Sequence, residues 1–170
     1  MLLFTAPSLC LYCIIQAVAL LVAANGAPVL FNKALGRRWA WPVDNRLNLS
    51  DSHRLFGATK TWRGLFSAVC ITTAVAVLGG MEPLIGVLFG ALAMAGDLLA
   101  SFVKRRLGRA ESSRSRGLDT IPESLLPIWL LKEPLGLGLI DIALTVGIFF
   151  LIEEFVSPVL YRLHIRKRPY

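Results

Sequence analysis

An aspartate sits inside an apolar run at Gly96-Asp97-Leu98-Leu99-Ala100-Ser101-Phe102-Val103-Lys104-Arg105-Arg106, and three cations mark the exit of that run. At helical spacing Asp97, Ser101, Lys104 and Arg105 fall at i, i+4, i+7 and i+8, so a carboxylate, a hydroxyl and two cations share one face. Such a face suits a metal ion and a phosphate. An ionised side chain at the bilayer centre costs about 2.5–3.5 kcal/mol on insertion scales, so an intramembrane Asp marks function by default.

Three further patches interrupt apolar sequence. Arg54-Leu55-Phe56-Gly57-Ala58-Thr59-Lys60-Thr61-Trp62-Arg63-Gly64 places Lys60 and Arg63 three residues apart among glycines and hydroxyls, which suits a polyphosphate near a membrane surface. It is not a P-loop, because Thr59 and Arg54 stand where the two glycines of that motif belong and no strand precedes it. The plainer reading is a positive-inside loop with Trp62 anchoring at the interface. Ala24-Asn25-Gly26-Ala27-Pro28 reads as the stop of a first helix, with Asn25 a cap or a ligand. In Arg116-Gly117-Leu118-Asp119-Thr120-Ile121-Pro122-Glu123, Asp119 stands at a helix start and Glu123 one turn later. Asp119 is an N-cap in one reading. In the other, Asp97 converges with Asp119 or Glu123 on a divalent cation, and hard oxygen ligands beside phosphate suit Mg²⁺.

The elements that position these residues are membrane helices. Of 170 residues 55% are hydrophobic and the mean hydropathy is +0.63, well above the roughly 45–50% apolar share of soluble domains. Spanning helices need about 20 apolar residues. Five crossings are expected, at Thr5–Ala24, Leu65–Gly80, Leu84–Val103, Leu118–Leu131 and Leu135–Pro158; the fourth is short and carries Pro122, Glu123 and Pro127. The first lacks a cationic lead and is longer than a usual signal peptide, so it is expected to be retained. Cys10, Cys13 and Cys70 have no His or second Cys pair at zinc spacing and read as structural thiols.

The net charge of +7 follows the same logic. Lys33, Arg37, Arg38, Arg46, Arg54, Lys60 and Arg63 lie between the first two helices; Lys104, Arg105, Arg106, Arg109, Arg114 and Arg116 follow the third; Arg162, Arg166, Lys167 and Arg168 form the tail. Five crossings put all of these on one side and leave Lys132 on the other, so the N-terminus is expected outside, with two long loops and the C-terminus cytoplasmic. Nucleic acid is excluded as the partner, since the cations punctuate apolar segments. With no internal repeat and no separate soluble domain, residues 1–170 read as one all-α transmembrane catalytic domain.

In order along the chain, Asn25-x-x-Pro28, Gly57-x-x-Lys60-Thr61-Trp62-Arg63-Gly64, Gly96-Asp97-x-x-x-Ser101-Phe102-x-Lys104-Arg105-Arg106-Leu107-Gly108 and Asp119-x-x-Pro122 resemble the pattern of CDP-archaeol synthases, the ether-lipid relatives of CDP-diacylglycerol synthases. The resemblance covers nearly the whole chain. It implies Mg²⁺-dependent transfer of CMP from CTP to a lipid phosphomonoester, archaetidic- or phosphatidic-acid-like, with release of pyrophosphate. The His-Gly-Gly signature of the diacylglycerol enzymes is missing.

Two polyanions must then approach each other, which metal and Lys or Arg make feasible. Asp97, Lys104, Arg105 and Lys60 are the expected catalytic set. Asn25, Lys60, Thr61, Arg63, Ser101, Lys104 and Arg105 are expected to bind CTP and phosphate, and Asp97, Asp119 and Glu123 to hold the metal. The expected partners are CTP, the lipid phosphate and the bilayer of the cytoplasmic (inner) cell membrane, with the site facing the cytoplasm and homo-oligomers left open. The competing class is non-catalytic: a transporter subunit using Asp97 in a path, or a scaffold whose basic loops hold anionic lipid.

Overall fold

The fold is that of a computed structural model, and it describes residues 9–36, 38–48, 53–109 and 117–162, with side chains up to 156. Among these residues there are five helices: α1 Leu11–Leu35, α2 Trp62–Leu78, α3 Pro83–Arg106, α4 Thr120–Leu130 and α5 Leu139–Arg162. Among the described residues, β pairing amounts to two isolated antiparallel bridges, Pro42 with Thr61 and Asn48 with Arg54, in the loop before α2.

The exterior is the apolar part. Phe66 is 72% exposed and Leu78 87%, and large side chains such as Leu11, Ile15, Leu88, Leu151 and Phe155 face outward along the helices. The buried set is instead rich in small and hydroxylic residues, including Ala17, Ala24, Ala68, Ala76, Ser67, Thr72, Ser101, Ser124 and Thr145. Helices surrounded by lipid gain little by hiding Leu from it, so small residues that allow close backbone approach take the interfaces. Glycines on α3 show this directly. A Cβ on Gly86 would stand 2.5 Å from the Thr73 Cα, and one on Gly90 2.9 Å from the Val69 Cα, so α3 lies backbone-to-backbone on α2. α1 and α3, by length and composition, can cross a membrane; α2, with 17 residues, is shorter but apolar.

Two expectations change. The Asn25-Gly26-Ala27-Pro28 run does not stop the first helix: α1 continues through Pro28 to Leu35 and ends at Gly36, whose positive φ of 54° and N–H to the Asn32 carbonyl (3.1 Å) close it. Glycine and proline are tolerated in membrane helices because packed neighbours compensate, and Pro28 is where the first turn of α2 arrives, a Cβ on Gly64 standing 3.5 Å from the Pro28 Cβ. The cysteines are not all thiols either. Cys10 and Cys13 form a disulfide, their Cα atoms 5.2 Å apart across the first turn of α1, and only Cys70 is free. Residues 1–8, where the first span was expected to begin, lie outside the described residues, as do Arg37, Arg114, Arg116 and the cations of the tail from Arg166 to Arg168.

The weak fourth element resolves into a short helix plus turns. At 11 residues, α4 is about 16 Å long, well under the roughly 30 Å of a hydrocarbon core. Its start is tied to the end of α3 by Lys104–Asp119. Turns over 131–138 carry the chain onward until Gly136 stands against the Cys13 sulfur, at the end where α1 begins. The segment therefore traverses the bundle although its helix alone does not.

Candidate active site

The polar residues gather at the end of the bundle where α1 ends, α2 begins and α3 ends. Thr61 caps α2, its hydroxyl accepting from the Gly64 N–H (3.2 Å). The residue before it, Lys60, reaches across to α3. Lys60 Nζ donates to both oxygens of Asp97, at 2.6 and 2.5 Å. One turn on, Ser101 is buried, and Lys104 and Arg105 follow on the same face, also buried. The helical spacing thus puts all four residues where expected. Lys104 pairs with Asp119 at 2.6 Å, so a second cation–carboxylate pair joins α3 to the start of α4.

Burial of the Lys60 ammonium works against its charge, but the Asp97 carboxylate, through charge and hydrogen bond, outweighs it; with Glu123 and Asp119 adding to this, the Lys60 pKa lies above its ordinary value. The lysine stays a cation.

α4 brings in the third carboxylate by contact with the glycine beside Asp97. A Cβ on Gly96 would lie 2.2 Å from the Pro122 carbonyl oxygen and 2.7 Å from the Glu123 Cα. Only glycine admits α4 at that distance. Glu123 is 3% exposed, and its Oε1 has no hydrogen-bond partner among the described residues. Asp97, Glu153, Lys60 and Asp119 all act on it electrostatically.

Other expected site residues make local contacts within the protein. The Arg63 guanidinium donates to the carbonyls of Gly36 (3.2 Å) and Arg38 and to Asn32 Oδ1 (3.0 Å), fastening the end of α1 to α2. Asn25 lies within α1, on a face that buries its amide nitrogen without a hydrogen-bond partner among the described residues. Asp119 is the N-cap residue of α4 by position, but its side chain does not cap, being turned to Lys104.

Two acidic residues not anticipated from sequence take part. Glu153 of α5 accepts from Thr120 Oγ1 at 2.7 Å and so borders the Glu123 cluster. Its place inside an apolar helix was the available signal. Asp44, 2% exposed in the loop before α2, accepts from Arg54 Nη2 at 2.5 Å and Nε at 3.2 Å, and from the backbone N–H groups of Arg46 (3.1 Å), Gly57 (3.0 Å) and Phe56 (3.4 Å). Nothing in its sequence neighbourhood sets it apart.

Asp97, Asp119 and Glu123 do not close into a cage: no group of three or more His, Cys, Asp or Glu among the described residues has metal-holding geometry. Mg²⁺ does not need one, since it is habitually held by one or two carboxylates together with waters and substrate phosphates. The unpartnered Glu123 oxygen beside Asp97 fits that habit. The arrangement as a whole presents two lysines and hard oxygen donors to a polyanion at one end of the bundle.

Over 94% of its length the chain is 32% identical to a CDP-archaeol synthase of Sulfurisphaera tokodaii, covering 96% of that protein. It is 28% identical to one from Sulfolobus acidocaldarius over 92% of the chain and 96% of the relative, and 38% identical to one from Thermococcus onnurineus over 58% of the chain and 61% of the relative. Among solved structures it resembles an intramembrane enzyme for archaeal membrane lipid biosynthesis, with a TM-score of 0.70 and 25% identity over 85% of this chain and 94% of that one. No family model matches the chain.

Proposed function

The chain belongs to the CDP-archaeol synthase family, and from that premise we propose that it is a membrane cytidylyltransferase that joins CMP from CTP to a lipid phosphomonoester of the archaetidic- or phosphatidic-acid type. The observation that carries this reading is the pairing of Lys60 with Asp97 and of Lys104 with Asp119 around the buried carboxylate of Glu123.

An oxygen of the lipid phosphate attacks the α-phosphorus of CTP. A new P–O bond forms, the bond from the α-phosphorus to the β-phosphate oxygen breaks, and pyrophosphate leaves. The nucleophile is already ionised, so no side chain has to remove a proton. What the protein must do is hold two polyanions together and steady the charge that builds on the leaving group. Lys60 and Lys104 do this as phosphate contacts, exchanging part of their pairing with Asp97 and Asp119 for the nucleotide. Buried Arg105 adds positive potential on the same face, and Ser101, one turn from Asp97, orients a phosphate oxygen. Asp97 and Glu123, with Asp119, would hold Mg²⁺, which supplies charge neutralisation across the phosphates when bound. Arg63 and Thr61 act by shaping the loop that carries Lys60.

The site faces the cytoplasm in this reading. The described cations from Lys33 to Arg63 and from Lys104 to Arg109 belong to the end of α1, the loop before α2 and the exit of α3, at the site's end of the bundle, while Lys132 lies in the turns that reach the start of α1. The apolar exterior leaves lipid chains in hydrocarbon while the headgroup reaches the site. The test is transfer of label from CTP to extractable lipid, with and without Mg²⁺, across a panel of ether- and ester-linked glycerol phosphates. The expected result is a CDP-lipid formed with at least one acceptor and stoichiometric pyrophosphate. No product with any acceptor would overturn the reading.

A further inference from the structure

The loop that delivers Lys60 is irregular backbone between two helices, yet its lysine must meet a helix-borne carboxylate with both oxygens engaged. Something has to hold that loop. The hydrogen bonds run through Asp44. One of its oxygens accepts from the Gly57 N–H (3.0 Å) and the Phe56 N–H (3.4 Å), at a residue whose φ of 103° only glycine adopts without strain. The Gly57 carbonyl in turn accepts from the Lys60 N–H (3.3 Å), and the Lys60 carbonyl accepts from the N–H of Val43, the neighbour of Asp44 (2.8 Å). Lys60 is therefore held on both sides of its backbone by the segment that Asp44 anchors. The same carboxylate takes the Arg54 guanidinium, and the Arg54 carbonyl accepts from Arg106 Nη2 at 3.0 Å, which fastens the loop to the exit of the helix bearing Asp97.

We propose that Asp44 is a positioning residue for the transfer reaction: it touches neither nucleotide nor lipid, and it acts by fixing the Gly57–Lys60 turn so that the ammonium is aimed at Asp97 and the phosphates. This rests on Lys60 being the phosphate contact of the proposed function. Five acceptor contacts to two backbone segments and one guanidinium exceed what closing a surface loop requires, and the one at Gly57 leads directly to Lys60. A buried carboxylate satisfied in this way is rigid, and rigidity of a contact residue is worth rate because small misplacements of reacting groups are costly.

The experiment is a double-mutant cycle on the full-length purified protein, with Asp44→Asn, Lys60→Gln and the pair, reading kcat and KM for CTP and the thermal midpoint of each. Asp44→Asn is expected to lower kcat/KM at least about tenfold, while in the Lys60→Gln background it lowers it by less than about twofold, because a residue that acts only through Lys60 has nothing left to position. Arg54→Lys, which keeps the charge but loses the forked contact, should give the same non-additive pattern in milder form. Independent, multiplying losses in both cycles would overturn the proposal and make Asp44 a stability residue only. Wild-type efficiency in folded Asp44→Asn would overturn it too. If Lys60→Gln alone left kcat/KM unchanged, the phosphate-contact reading itself would fall. Should Asp44→Asn not fold, the Arg54→Lys cycle decides.

Discussion

A lysine and an aspartate in contact on different elements can be a brace or a working pair, and the two predict different losses. Replacing Asp97 by Asn changes little volume. If the carboxylate holds a metal ion, turnover falls by orders of magnitude with the fold retained. Lys60→Gln and Lys104→Gln each remove a charge-assisted contact worth about 1.5–3 kcal/mol, so kcat/KM for CTP should drop at least about tenfold. Lys33→Gln, on the exposed last turn of α1, should change it little; equal effects at all three lysines would reduce them to topology signals. A second prediction concerns acid. Burial works to raise the Asp44 pKa, but the Arg54 hydrogen bond and the N–H groups of Gly57, Arg46 and Phe56 outweigh it and hold it below the usual carboxylate value. A lowered folded value means the stabilisation is complete above the unfolded value and disappears as pH falls through the folded one. The difference in thermal midpoint between wild type and Asp44→Asn should be level from pH 5 to 7 and shrink below about pH 4; a difference unchanged at pH 3 would contradict this. Periodicity reveals which residues share a face of one helix, and so the Asp97, Ser101, Lys104 and Arg105 row was legible. It is silent on which loop meets that face, which is why Lys60 against Asp97, Asp44 beneath Lys60 and Glu153 beside Thr120 needed the structure.

Among the elements, α4 decides whether a site exists at all. It approaches α3 only because residue 96 lacks a side chain. Gly96→Ala would drive a methyl into the Pro122 carbonyl, and the overpacking costs about 1–3 kcal/mol while displacing Glu123 from Asp97. Gly26→Ala is the contrast: it lies in a helix with nothing within 4 Å of the new methyl, so it should be neutral or stabilising by up to about 1 kcal/mol. Thermal midpoints and turnover of the two variants check this, and a tolerated Gly96→Ala would mean α4 is not seated as described. The helices themselves were largely readable from apolar run lengths, since lipid demands length and hydrophobicity of each one. The end of α1 was not. Asn-Gly-Ala-Pro is stop chemistry in water, but within a bundle the neighbours supply what glycine and proline lose, and α1 runs eleven residues further, from Ala24 to Leu35. The Cys10–Cys13 bond escaped for a related reason, because the sequence shows two cysteines three apart but not that they share the first turn of a helix.

At the scale of the molecule, a lipid-facing exterior and a polar end describe an enzyme that takes one substrate from the membrane and the other from water. Five crossings, as proposed, would turn the cations around the site to one compartment. Single cysteines at Arg38 and Arg109, in a background with Cys10, Cys13 and Cys70 replaced by serine, should label from the cytoplasmic side, and one at Glu133 from the other; labelling of Arg38 and Arg109 from opposite sides would defeat this topology. The central claim is cytidylyl transfer, and the position of the label in CTP tests it most directly. Purified protein is given the accepting lipid phosphate with CTP labelled at either the α- or the γ-phosphorus, and the organic and aqueous phases are counted. The α-label should enter the lipid and the γ-label should leave as pyrophosphate, with both events lost in Asp97→Asn. Transfer of the γ-label to lipid, or an α-label that never leaves the aqueous phase, would contradict it.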